Sequence, residues 1–362
     1  MTTPQPPEGE TLLYIGTYTR GDSEGIYVYR MDNRTGRLSY HSKATGIENP
    51  SYLALHPRNT FLYSVAEVAD HNGQKTGAVS AYSLTREGEL VDLNTQPSQG
   101  PGPCHVTVDR QGHNVYVANY QGGSVGVLPI QSDGSLGEPT DFHQHEGSSV
   151  NPQRQNEPHA HSVNLDQVDR FAFVADLGMD KVMIYRVDLQ AGKLTPNNPP
   201  HVDVHPGAGP RHFDFHPNGR LAYLINEIDS TITAFRYDPQ RGALEEIQTL
   251  STLPEGFNDS NTTADVHVHP SGRFVYGSNR GHDSIAIFGL DDDGHMTPLG
   301  HEPTQGQTPR NFAIDPSGVF LLAENQNSST IVTFSINQTT GGLEPTGDVA
   351  EVPNPVCIKM IR

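Results

Sequence analysis

Short apolar stretches that end in His-Pro, Asp-Pro or an equivalent recur along this chain, and each leads into a second apolar stretch closing on small polar residues. Tyr52-Leu53-Ala54-Leu55-His56-Pro57 is followed by Phe61-Leu62-Tyr63-Ser64-Val65-Ala66-Glu67. Pro210-Arg211-His212-Phe213-Asp214-Phe215-His216-Pro217 is followed by Leu221-Ala222-Tyr223-Leu224-Ile225-Asn226-Glu227. Counted from the opening proline or its equivalent, copies begin at residues 50, 103, 159, 210, 263 and 309, with a partial copy at 355. Each reads as four strands. An inner strand A is followed, after a type I turn such as Pro217-Asn218-Gly219, by strand B. An alternating strand C such as Ser284-Ile285-Ala286-Ile287-Phe288 comes next, and a glycine-bearing turn such as Asp238-Pro239-Gln240-Arg241-Gly242 leads into strand D. Helical periodicity is sustained nowhere. A repeat of roughly 45–50 residues with several strands cannot bury both its faces alone, so the copies must stack around a ring, which predicts an all-β β-propeller.

The ends of the chain fix the blade count. Leu12-Leu13-Tyr14-Ile15-Gly16-Thr17-Tyr18 matches strand B, and Pro355-Val356-Cys357-Ile358-Lys359-Met360 matches strand A. One blade is therefore expected to combine both termini, which seals the ring and leaves no open strand edge. The expectation is seven four-stranded antiparallel blades forming one domain over residues 11–362. Residues 1–10 have neither a basic start nor an apolar core, and read as a disordered lead-in and not as a signal peptide. The longest insert, Gln144 to Glu157, enters a histidine-bearing strand and is a candidate rim or lid.

Charge narrows the partners. The 362 residues carry 23 Lys and Arg against 42 Asp and Glu, a formal net charge of −19. Such a surface repels nucleic-acid phosphates and anionic lipid, so neither nucleic acid nor membrane is an expected partner. The acid excess is spread along the chain, as ordinary solubility or adaptation to high salt would produce. An anionic substrate would then need a local site built from arginines. The two cysteines, Cys104 and Cys357, fall in inner strands and read as small buried apolar side chains. No apolar run approaches the ~18 residues that span a bilayer. A cytoplasmic protein is the expectation, as a monomer or weak dimer.

In an antiparallel A–B hairpin the start of A lies beside the end of B, and around a ring these positions converge on one mouth of the central channel. The third residue of strand A is read as Tyr52, His105, His161, His212, Asp265, Asn311 and Cys357. The residue before it is read as Ser51, Cys104, Ala160, Arg211, Ala264, Arg310 and Val356. The recurrent asparagines that end strand B, Asn279 among them, suit bonding to loop backbones. Arg211, Arg280 and Arg310 put three guanidiniums near one mouth of an acidic protein. Each could pair with a neighbouring carboxylate, but together they suit an anion, because the planar fork matches phosphate or carboxylate. Glu67, Asp176 and Glu227, with His105, His161 and His212, supply groups that could activate water and stabilise an oxyanion. His159-Ala160-His161 has a spacing seen in metal sites, yet no cysteine or carboxylate lies at a diagnostic distance, and no metal or cofactor is expected. Neither a Gly-x-Ser-x-Gly elbow nor a glycine-rich phosphate loop is present.

Glu157-Pro158-His159-Ala160-His161-Ser162, Gly209-Pro210-Arg211-His212, Ile225-Asn226-Glu227, Ala264-Asp265-Val266-His267 and Ser278-Asn279-Arg280-Gly281, in that order, resemble the lactonase family of seven-bladed propellers over residues 11–361. The family's best-known activity is 6-phosphogluconolactonase, of the pentose phosphate pathway, and a fungal relative is carboxymuconate cyclase. The resemblance implies a site made of His161, Arg211, Glu227 and Arg280, with His159 an open alternative to His161, and it implies no metal. Arg310, His159, His212, His105, Asn279 and Glu67 are the candidate substrate contacts around them. Three functions remain in view: hydrolysis of an anionic sugar δ-lactone such as 6-phosphoglucono-1,5-lactone, cyclisation of a carboxylated muconate, and a non-catalytic binding propeller. Fold alone does not separate them.

Overall fold

The computed structural model describes residues 3–362 and contains seven four-stranded antiparallel sheets. Blade 1 joins the two chain ends: Pro355–Ile361 pairs with Glu10–Thr17, from Leu12 opposite Ile361 to Thr17 opposite Pro355, and Gly25–Asp32 and Leu38–Thr45 complete it. Blades 2 to 7 follow in chain order, with inner strands Leu53–Leu55, Pro103–Val108, Ala160–Leu165, Pro210–Phe215, Thr262–Val268 and Pro309–Ile314. The inner strands touch their neighbours all the way round, and the last contacts Pro355–Ile361. The ring is closed by backbone pairing, as the matching ends predict.

Alternation explains the layers. Strands B and C are buried on both faces because each blade is covered by the next, while strands D alternate toward solvent. The core is thus a set of seams between blades. Phe173 of blade 4 stacks on Phe213 of blade 5 with centroids 5.6 Å apart, and Phe215 and Tyr237 pack edge-on around them. A second device recurs across the seams. The hydroxyls of Tyr14, Tyr63, Tyr223 and Tyr276 each donate to the carbonyl of a turn glycine in the next blade: Gly88, Gly134, Gly294 and Gly341, at 2.9–3.3 Å. Gly134 sits at φ +90°, and a Cβ there would lie 2.1 Å from Phe61, so the close approach requires glycine.

Residues 3–9 run against blades 1 and 2. Pro4 is buried, the Gln5 amide donates to the Arg86 carbonyl at 2.9 Å, and the Asn33 amide donates to the Gly9 carbonyl at 2.8 Å. Met1 and Thr2, the remainder of the expected lead-in, lie outside the described residues. Among the described residues no helix is long and apolar enough to cross a membrane.

One feature of the inner strands sets the site. Pairing with strand B slips at the start of nearly every strand A: between Pro103 and His105, Ala160 and Ser162, Pro210 and His212, and Pro309 and Asn311. The extra residues are Cys104, His161, Arg211 and Arg310. A β-bulge leaves its extra residue unpaired and re-aims it, and here all four gather at one mouth of the channel. This corrects the alignment read from the sequence. His161 belongs to the row of Arg211 and Arg310, and Ser162 is the blade 4 counterpart of His105 and His212. The motif His-Ala-His imitates Pro-x-His and hides the one-residue offset.

Candidate active site

Glu227, at the end of strand Leu221–Asn226, is the centre of the arginine mouth. Its Oε2 accepts from Arg211 Nε at 2.9 Å and faces Arg280 Nη2 at 3.0 Å, and its Oε1 faces Arg154 Nη2 at 2.5 Å. Arg211 is 2% exposed and also donates to the Ala264 carbonyl, so it is a buried brace. Arg280 shares its Nη2 with the Thr263 carbonyl at 2.7 Å, and its Nε has no partner among the described residues. Burial on its own would raise the Glu227 pKa, but the guanidiniums of Arg280, Arg211 and Arg154 hold it well below the usual carboxylate range. Burial in turn lowers Arg280 to about 10 despite Glu227. Glu227 is therefore a fixed anion that organises three cations, and it is a poor proton acceptor at neutral pH.

His161 stands over this cluster, with Nε2 3.9 Å from Glu227 Oε2 and Nδ1 3.8 Å from Cys104 Sγ. Burial, with the charges of Arg211, His212 and Arg310, holds its pKa well below the ordinary imidazole value, so it is neutral at neutral pH. Arg310 completes the mouth from blade 7. Its guanidinium lies 5.3 Å from the Tyr18 ring centroid and makes no ion pair or hydrogen bond among the described residues. Glu67 is across from it, accepting from Tyr18 Oη at 2.9 Å and from Ser51 Oγ.

The other predicted contacts sit elsewhere. His159 turns onto Tyr120, stacked with centroids 4.5 Å apart, with Nδ1 3.0 Å from the Tyr120 carbonyl. His105 and His212 lie one layer deeper, where with Tyr52 they plug the channel: His105 is 4.2 Å from Tyr52 and 5.5 Å from His212 between ring centroids. Asn279 has its whole amide engaged with the segment that links blade 5 to blade 6, accepting from Thr252 Oγ1 and Asn261 Nδ2 and donating to the Thr252 carbonyl, as a loop staple would. Asp176 is likewise spent on His145 and on the His159 and Gly178 amides. No geometric feature brings Asn279 to a ligand.

Arg154 is the residue that the repeat could not reveal, because it lies on the insert and has no counterpart in other blades. The insert is tied down by Gln155, fully buried, whose amide donates to the Leu177 carbonyl at 2.9 Å and to Asp180 at 2.7 Å. That anchor carries Arg154 over the mouth, between Glu227 and Tyr120 Oη at 3.2 Å. A lone arginine in a polar loop entering a site strand was the available signal.

Comparison with known proteins bears on this geometry. The family model described as lactonase, 7-bladed β-propeller, matches residues 12–360. The chain belongs to that family. A Bacillus subtilis relative named 6-phosphogluconolactonase is 41% identical over 351 residues, covering 96% of this chain and 98% of the relative. Among solved structures, a putative 6-phosphogluconolactonase from Bacteroides fragilis superimposes with a TM-score of 0.92 at 37% identity, covering 99% of this chain and 100% of that one. A periplasmic gluconolactonase from Pseudomonas aeruginosa does so with a TM-score of 0.92 at 32% identity, covering 98% and 99%. Family membership extends over all seven blades, so the arginine mouth and the channel beneath it both lie within the matched region.

Proposed function

We propose that this protein hydrolyses a sugar δ-lactone, with 6-phosphoglucono-1,5-lactone as substrate, and so serves the pentose phosphate pathway. The observation that carries the reading is the unpaired Arg310 guanidinium beside a carboxylate-organised arginine cluster that faces a neutral imidazole. Relatives named as lactonases support the same reaction class.

In this reading Arg310 takes the phosphate and Arg280 opposes the oxyanion that forms at the lactone carbonyl. His161 accepts a proton from water as the water oxygen bonds to the carbonyl carbon. The ring C–O bond then breaks, and the leaving ring oxygen takes that proton back from His161, giving the open hydroxy acid. The nearby Glu227 carboxylate stabilises the transient imidazolium. Arrival of a phosphate dianion near Arg310 offsets one of the charges that depress His161, which moves its basicity toward the working range. Because δ-lactones open slowly unaided, positioning and charge stabilisation suffice.

Substrate phosphate also bears on location. A phosphorylated sugar lactone does not cross membranes, so a requirement for phosphate goes with the cytoplasm, whereas plain gluconolactone is open to either compartment. The test measures kcat/KM on both lactones against the buffer blank. A gain over the blank on the phosphorylated lactone, larger than on the plain one, is expected. No gain on either overturns the hydrolase reading in favour of muconate-type cyclisation or simple binding.

A further inference from the structure

Below the plug the channel opens again. A cavity of about 380 Å³ lies on the opposite side of Tyr52, His105 and His212 from the arginine mouth, and Thr107, Asn164, Asp214, Asp265, His267 and Lys359 complete its polar lining. Nothing in the lactonase reading uses it. Its polar groups are unequally satisfied, which is informative because buried polar groups are ordinarily paired.

Asp265 is saturated. It accepts from His212 Nδ1 at 2.7 Å, the Val266 amide at 3.0 Å, His267 Nε2 at 3.0 Å, and Asn311. Because His212 gives its Nδ1 proton to Asp265, its Nε2 is left as a bare acceptor. That nitrogen is buried and has no partner among the described residues. Lys359 places its ammonium 4.7 Å from the Tyr52 ring centroid, with no carboxylate within ion-pair distance among the described residues. The cavity thus offers one cation without a carboxylate partner, a partly exposed carboxylate on Asp214, and neutral hydroxyl and amide groups on Tyr52, Thr107 and Asn164.

Charge alone does not select a ligand here, since Lys359 and His267 are matched by Asp214 and Asp265. Recognition has to be short-range. A fitting molecule brings one carboxylate to Lys359 and hydroxyl groups to Asp214, Thr107 and Asn164. A phosphate dianion is disfavoured by the two aspartates, and an uncharged polyol brings no direct ion-pair partner to Lys359.

We infer that the end of the channel opposite the arginines is a second binding site, for a small polyhydroxy monocarboxylate of the aldonic-acid class. The inference does not depend on the catalytic reading, because Tyr52, His105 and His212 lie between this cavity and the arginine mouth. The probe is D-gluconate, titrated calorimetrically at millimolar concentration into the full-length Arg310→Ala protein, which weakens anion binding at the mouth. Binding is expected to persist there and to weaken at least about tenfold when Lys359→Met is added. Thr107→Leu, which fills the cavity and leaves Lys359 in place, is expected to weaken it similarly, and thermal melting of each variant checks folding. Glucitol, the uncharged counterpart, is expected to bind at least about tenfold less tightly. Absence of gluconate binding in the Arg310→Ala protein overturns the inference, as does equal binding of glucitol or unchanged affinity in both cavity variants.

Discussion

The two ends of one channel use the same chemistry in opposite proportions. At the mouth, Arg154, Arg211, Arg280 and Arg310 outnumber Glu227 and Glu67, and three of the four guanidiniums converge on a single carboxylate. At the far end one imidazole, His267, stands between two carboxylates, with Asp265 Oδ2 at 3.0 Å and Asp214 Oδ2 at 3.8 Å, and Lys359 balances the remainder. The mouth is a cationic focus in an acidic protein and attracts anions from a distance. The far end is neutral as a set and discriminates only on contact. Both are built on the same seven strands, so the difference resides in side chains at the bulged row and in the rows below it, and not in the fold.

The largest expected effect removes the frame that both ends share. A chain ending at Pro353 loses strand Pro355–Ile361, opens blade 1 and exposes a strand edge. It should lose its cooperative thermal transition, and a truncated protein melting like the full chain would contradict closure by the termini. Next in size is Glu227→Gln, which leaves three guanidiniums without their counter-charge. A fall in kcat/KM of roughly 10² or more is expected. If Glu227 organises the arginines as the geometry indicates, KM rises along with the loss of kcat, whereas a base role would leave KM near normal. His161→Asn should lower kcat by about 10²–10⁴ with little change in KM. In the unsubstituted protein the acid limb of kcat/KM should lie below the ordinary histidine value of about 6.5, because His161 must be neutral to act and its pKa is depressed.

How far these ends were legible in the sequence differs in the same way. The ring, its seven blades and its closure followed from repeats that state the same pattern many times over. The arginine mouth was legible because Arg211 and Arg310 break a repeated column, and departures from repetition are easy to see. His161 was placed one row too deep, because His159-Ala160-His161 imitates the Pro-x-His start of other blades while Ala160 holds the place of Pro210. The apolar positions Val163 and Leu165, matched to Phe213 and Phe215, would have given the true offset. His105, His212 and Asn279 were grouped with the mouth because they fall in its aligned columns, but a layer is only about two residues thick along a strand. Arg154 and Lys359 were obscure for another reason: one sits on an insert and the other on the closing strand, and each acts on residues distant in sequence.

Arg310→Ala gives a smaller effect that separates specificity from catalysis at the mouth. With no partner to release, Arg310 is available to phosphate, so KM for the phosphorylated lactone should rise about tenfold or more while plain gluconolactone is little affected. An equal loss on both lactones would assign Arg310 to the oxyanion instead.

The smallest effect contrasts the two ends through pH. At the far end His267 faces Asp265 and Asp214, with His212, Lys359 and Glu324 nearby. Burial works against its charge, but the two aspartates prevail and raise its pKa to about 10. A histidine raised above its unfolded value of about 6.5 adds stability that is fully present below that pH and is lost as pH climbs toward 10. At the mouth the sign reverses. Glu227 is depressed, so its contribution is present above the ordinary carboxylate value and disappears as the protein is acidified through the folded one. His212, in the plug between the two ends and held at about 4 by burial and Arg211, adds to that acid loss, because the unfolded chain takes up its proton near 6.5 while the folded one resists. Denaturant melts across the pH range should therefore show His267→Gln flattening the alkaline slope between about 6.5 and 10, with a smaller change on the acid side, because burial would raise the Asp265 carboxyl and His267 is the foremost charge holding it down. His267 is about a third exposed, which limits the size of the change. A variant that flattened the acid slope and left the alkaline one untouched would place the charged histidine at the wrong end of the channel.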